Sequence, residues 1–135
     1  MDLIAASKWL HQSASLHQAL KFYQGLAAAP ACTDSLVADL GRLDRYFLLT
    51  HILHRADAID PWLYARCREV EADPDDHIDL WARGHYKSTI ITLAGTIQEV
   101  LNNPDITIGI FSHTRPISKA FLRQIMREFE SNDLL

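Results

Sequence analysis

Lys87, Ser88 and Thr89 follow one another at the end of the stretch DLWARGHYKST, with Arg83 and Gly84 just ahead of them. A lysine followed by hydroxyls suits a polyphosphate site. The ammonium meets outer phosphate oxygens, a hydroxyl meets Mg²⁺, and a turn aims successive backbone N–H groups at one anion. The common phosphate loop reads G-x-x-x-x-G-K-[ST]; here its two glycine slots hold Trp81 and Tyr86. Gly84 is the only glycine in the stretch, so a conformation closed to side chains is expected there. Tyr86, directly before the lysine, is awkward if that position needs positive φ. The competing reading is a solvated Lys-Ser pair that binds nothing.

A loop of this kind needs an extended segment before it and a helix behind it. Residues 77–81 alternate in polarity and predict a short strand. Ile90, Ala94, Ile97 and Leu101 then take helical spacing. Residues 106–112, ITIGIFS, are rich in β-branched side chains and predict a buried strand. Ile117, Phe121, Ile125 and Phe129 mark a last helix, capped by Ser112 or Thr114. The second half therefore reads as a βαβ unit with a trailing helix and a parallel strand pair, an α/β class. Ligands of such sheets bind beyond the carboxyl ends of the strands, which points to the loop after Trp81 and to Ser112, His113 and Thr114.

The first half reads as helix. Trp9, Leu16, Leu20 and Tyr23 lie near one face before Gly25 and AAAPAC end the segment. Leu36, Leu40, Leu43 and Phe47 form a second apolar stripe, with Thr33 or Asp34 as cap and Gly41 weakening it slightly. Asp60 and Pro61 open a third helix that Pro74 stops. The division expected is a helical region over 1–57 and a partial nucleotide-binding core over 58–135.

The bulk figures are permissive. The chain has 135 residues, 48% hydrophobic, and a net charge of −4, which suits one compact domain and gives no compositional reason to expect nucleic-acid binding. Two distant cysteines, Cys32 and Cys67, make neither a disulfide framework nor a zinc pattern. His51 and His54 have no ligand-spaced acidic or cysteine partner. No apolar run reaches the roughly 18 residues of a membrane span, and the amino terminus lacks a secretion signal, so a cytoplasmic protein is expected.

DLWARGHYKSTIIT, followed by ITIGIFSHTRPISKAFLRQIMREFE, resembles the large terminase subunits of tailed bacteriophages. These carry a variant phosphate loop, R-G-x-x-K-[ST], in which the residue before the lysine can be aromatic. The resemblance extends from about Leu43 to Leu135 and includes RYFLLTHIL and PWLYARCREVE. It implies the first βαβα of a P-loop NTPase sheet, incomplete, behind a helical amino-terminal part. It implies a parent protein that couples ATP hydrolysis to pumping double-stranded DNA into a capsid and carries a separate endonuclease. Its partners would be the portal and the small terminase subunit, and it would work as a homo-oligomeric ring in the host cytoplasm.

Carried over by residue, the resemblance gives Lys87 the β- and γ-phosphates, Ser88 the Mg²⁺ ion and Thr89 a supporting contact. The amides of Gly84, His85, Tyr86, Lys87 and Ser88 would cradle the phosphates, and Arg83 would stabilise the γ-phosphate. A surface ion pair is the alternative for Arg83. Tyr64 and Arg66 lie where related ATPases contact adenine, against the alternative that Tyr64 is half-buried in its helix. Lys119, Arg123 and Arg127 step along one face that could meet phosphates or simply solvent. A motor also needs a later Asp-Glu element, and no such pair follows Ser88. The expectation is thus an amino-terminal piece that binds ATP·Mg²⁺ without efficient turnover. The alternatives are another P-loop NTPase, helicase-like, and a non-catalytic helical interaction module with a vestigial loop.

Overall fold

The computed structural model describes residues 2–73 and 78–135. Helix α1 (Leu3–Gln12) is capped by Asp2, whose carboxylate accepts from the Ile4 and Ala5 amides. Helix α2 (Leu16–Ala27) opens on a reciprocal box in which Ser15 and Gln18 each bond the other's backbone. That box breaks what the apolar spacing suggested was one helix through Trp9 and Tyr23. Thr33 caps α3 (Asp34–Leu43), and Asp44 ends it while capping α4 (Arg45–Phe47), which runs on as a π-helical turn, Leu48–Ile52. The stripe from Leu36 to Phe47 is therefore split at a buried aspartate. A short 3₁₀ turn, Ala56–Ala58, leads to α5 (Pro61–Ala72), with Asp60 as cap and Pro61 in its first turn, as predicted.

The second half departs from the α/β expectation. Among the described residues there is no strand and no sheet. His77 lies outside the described residues; 78–81 and 106–112 are irregular. Ile78, Leu80 and Phe111 are strongly exposed rather than buried on a sheet face. A β-branched run becomes a strand only when a neighbour accepts its backbone hydrogen bonds, and a lone parallel pair is too small a sheet to stand by itself. The parallel βαβα expected of a P-loop NTPase is therefore absent among the described residues. The helices of this half do form: a π-helical segment, Ser88–Gly95, continues into α6 (Thr96–Asn102), and α7 spans Arg115–Ser131. Thr114 occupies the cap position of α7, although its side chain makes no capping bond.

The core draws on both halves. Leu10, Tyr23, Leu40, Tyr46, Leu48 and Ile52 pack with Ile90, Ile97 and Ile125. Burial of Ile90 and Ile97 roots the segment behind the phosphate loop in this core. A polar network crosses the same interior. The Tyr23 hydroxyl donates to Asp44 Oδ2 at 2.7 Å, Arg68 pairs with Asp44 and Glu71, and Arg45 Nε donates to Gln98 Oε1 at 2.9 Å. Gln98 in turn donates to the Arg42 carbonyl at 3.1 Å, so α3, α4, α5 and α6 are tied together by buried polar bonds.

Candidate functional site

The loop hangs from this frame. Residues 81–89, together with Arg55, line a cleft of about 530 Å³. Arg83, Gly84, His85, Tyr86, Lys87, Ser88 and Thr89 all face it, so the structure brings together the whole set expected from the sequence. Ser112, His113 and Thr114 do not line it.

The loop backbone alternates in hand. Gly84 has φ 83° and Tyr86 φ 59°, whereas Arg83 and His85 keep negative φ and Lys87 is helical at φ −51°, ψ −52°. Alternation of hand is the backbone pattern from which anion nests are built, with successive N–H groups turned to one concave side. The hydrogen bonds agree with it. His85 N–H donates to the Ala82 carbonyl at 3.4 Å, and Thr89 and Ile90 N–H to the Tyr86 carbonyl at 3.0 and 2.9 Å. Among the described residues, the amides of Gly84, Tyr86, Lys87 and Ser88 donate to no protein acceptor. These donors sit at the start of a helix, where the peptide dipoles add positive potential.

The side chains supply cations and a hydroxyl. Lys87 Nζ folds back to the Asp79 carbonyl at 3.2 Å, a neutral acceptor, and among the described residues it has no ion pair. Arg83 is exposed and, among the described residues, has no ion pair, so the surface salt bridge considered for it does not form. Ser88 is exposed and its hydroxyl is unengaged. The residues present include groups that a Mg²⁺-bound polyphosphate uses: free amides, two cations and a free hydroxyl. Among the described residues, no carboxylate lines the cleft.

Tyr64 is not available to a base. It is buried, and its hydroxyl donates to the Leu10 and Ala14 carbonyls at 3.0 and 3.1 Å. Arg66 pairs with Glu69 and lies 5.9 Å from the Trp62 ring. Trp81 packs edge-on against Trp62 at 5.6 Å, and His85 meets the same ring at 5.4 Å.

Two participants escaped sequence reasoning. Arg55 lines the cleft, and Asp57 accepts from the Tyr86 hydroxyl at 2.7 Å and from Arg55 Nε and Nη2 at 2.9 and 2.8 Å. The Arg55 bonds, then the Tyr86 hydroxyl, hold the Asp57 carboxyl well below the usual carboxylate range. The spacing Arg55-x-Asp57 carries no recognisable motif, and nothing local links it to a loop about thirty residues on.

No protein-family model, curated protein or solved structure matches the chain. Among the described residues, no helix is long and apolar enough to cross a membrane.

Proposed function

We propose that this chain binds the polyphosphate of ATP, with Mg²⁺, in the nest formed by Arg83, Gly84, His85, Tyr86, Lys87 and Ser88. One observation carries the reading: unpaired amides of Gly84, Tyr86, Lys87 and Ser88 on a backbone of alternating hand, at the head of a helix, with the Lys87 ammonium beside them. The site rests on this loop and on the core that holds its helix, and needs no sheet. Lys87 meets the β- and γ-phosphates, Ser88 the metal and Arg83 the outer charge. Thr89 supports Ser88. Binding is the activity proposed; among the described residues lining the cleft no carboxylate stands ready to activate water.

The resemblance of DLWARGHYKSTIIT to terminase large subunits supports the wider proposal. The chain is the amino-terminal ATP-binding part of a DNA-packaging motor, whose full length would translocate double-stranded DNA, cut it with a separate nuclease and assemble as a ring with portal and small subunit. Calorimetry with ATP·Mg²⁺ tests the site. Wild type should bind, and Lys87→Ala should lose most of that affinity, tenfold or more for a direct charge-assisted phosphate contact. Equal binding by the two proteins would refute the assignment of the loop.

A further inference from the structure

Tyr86 holds a conformation that its side chain disfavours. At φ 59° a residue with a Cβ is in the left-handed region, where glycine sits without cost. Gly84, two residues earlier at φ 83°, has open space around it and no Cβ to object. Tyr86 must be held by something else: its carbonyl accepts from the Thr89 and Ile90 amides, its ring packs against the core, and its side chain is anchored at its tip. Its hydroxyl donates to Asp57 Oδ2 at 2.7 Å. Arg55 grips the same carboxylate through Nε and Nη2, and its guanidinium carbon lies 5.7 Å from the centre of the Tyr86 ring. The turn that carries Asp57 is itself fixed. Ala58 is fully buried, and its carbonyl accepts from the hydroxyl of Tyr46, a core residue, at 3.0 Å.

Resting on the reading of the loop as a polyphosphate nest, we propose that Asp57 and Tyr86 are positioning residues. Their hydrogen bond locks residue 86 in the left-handed conformation and takes the place of the glycine found there in the common phosphate loop. The chain obtains by a tertiary latch what glycine obtains by lacking a side chain. The Tyr86, Lys87 and Ser88 amides are thereby aimed before the anion arrives, so ordering the loop does not draw on binding energy. Arg55 keeps the acceptor charged and oriented.

Three variants separate a latch from a general structural role, with calorimetric titration of inorganic tripolyphosphate and of ATP·Mg²⁺ as readout. Tyr86→Phe keeps the ring and the Cβ but removes the hydroxyl; binding should weaken about tenfold, the scale of a disfavoured backbone conformation. Tyr86→Gly also lacks the hydroxyl yet adopts the same φ freely; binding should return to within about twofold of wild type. Asp57→Ala should weaken binding about tenfold alone and hardly at all when combined with Tyr86→Gly, the signature of coupling through one contact. A Tyr86→Phe protein that binds like wild type, or a Tyr86→Gly protein as weak as Tyr86→Phe, overturns the latch and leaves the nest standing. A wild-type chain that binds neither probe overturns the nest, and the latch with it.

Discussion

Lys87 Nζ donates to the carbonyl of Asp79 at 3.2 Å, spanning the loop from its exit back to its entrance. The contact holds the ammonium beside the loop on an uncharged acceptor. Arg83, at the exposed crest, adds charge at longer range. The two cations should therefore fail differently. Lys87→Ala removes a direct contact and should weaken tripolyphosphate binding tenfold or more at any salt. Arg83→Ala should cost about three- to tenfold at low salt and much less near 0.5 M, where exposed charges are screened. Titrations of both variants at several salt concentrations decide the matter; parallel salt curves would place Arg83 in direct contact instead.

Gly84 isolates the backbone term. A Cβ added there meets nothing within 4 Å, so Gly84→Ala creates no clash and acts only through φ 83°. The cost is about 1–2 kcal/mol for a left-handed alanine, expected as a roughly five- to thirtyfold loss of ATP·Mg²⁺ affinity. Gly84→Asn should lose less, because asparagine tolerates this region better. The unfolding midpoint should barely move, since the loop is exposed. An alanine variant with undiminished affinity would mean that the loop changes shape when it binds.

Much of this was readable in advance where the physics is local. Asp60 before Pro61, and Thr33 before Leu36, are capping arrangements within four residues, and both helices start where those signals stand. The residues of the proposed nest could be named for the same reason, since Gly84 to Ser88 is contiguous. Even the tension at Tyr86 could be stated from its place before Lys87, and the positive φ is there. The Ser15 box was missed because apolar spacing runs on through the break it makes.

Where partners decide, the sequence was a poor guide. Residues 106–112 have strand-forming composition, yet Phe111 projects into solvent and, among the described residues, no neighbour completes a ladder. β-propensity measures how well side chains fit a surface that must already exist. The Asp57–Tyr86 bond joins positions 29 residues apart, and no periodicity connects them.

The Tyr23–Asp44 pair should dominate the stability of the frame. Asp44 is fully buried, caps α4 through the Phe47 amide at 3.0 Å, and takes the Tyr23 hydroxyl and the Arg68 guanidinium on its two oxygens. Tyr23→Phe removes one hydrogen bond to a buried charge and keeps the ring's contact with Phe47, so about 1.5–3 kcal/mol should be lost. Asp44→Ala also removes one of the two carboxylates that Arg68 pairs with, leaving Glu71, and should cost about 3–5 kcal/mol. Urea midpoints check both. A Tyr23→Phe chain as stable as wild type would show that Arg68 and the Phe47 amide satisfy the carboxylate without the hydroxyl.

His51 should shape how that stability depends on pH. Its ring stacks on Phe47 at 4.9 Å, meets Tyr23 edge-on at 5.0 Å, and pairs through Nδ1 with the Thr50 hydroxyl at 2.8 Å. Burial pushes its pKa below the ordinary 6.5; the nearby Asp44 pulls it back up and His54 pushes it further down. The folded chain thus favours neutral imidazole, while the unfolded chain titrates normally. The stability this confers is complete above pH 6.5 and lost as pH falls through the folded value. His11 is shifted in the same direction, also by burial first. Glu71 works the opposite way: burial raises its pKa, so its share of stability is present below pH 4.5 and lost as pH rises through its raised folded value. The wild-type profile sums these trends, and a difference between proteins isolates one of them. His51→Phe keeps the aromatic stack and removes the titration, so its urea midpoint should fall less than that of wild type between pH 7.5 and 5.5. Equal falls would mean that His51 gains its proton as readily in the folded chain as in the unfolded one.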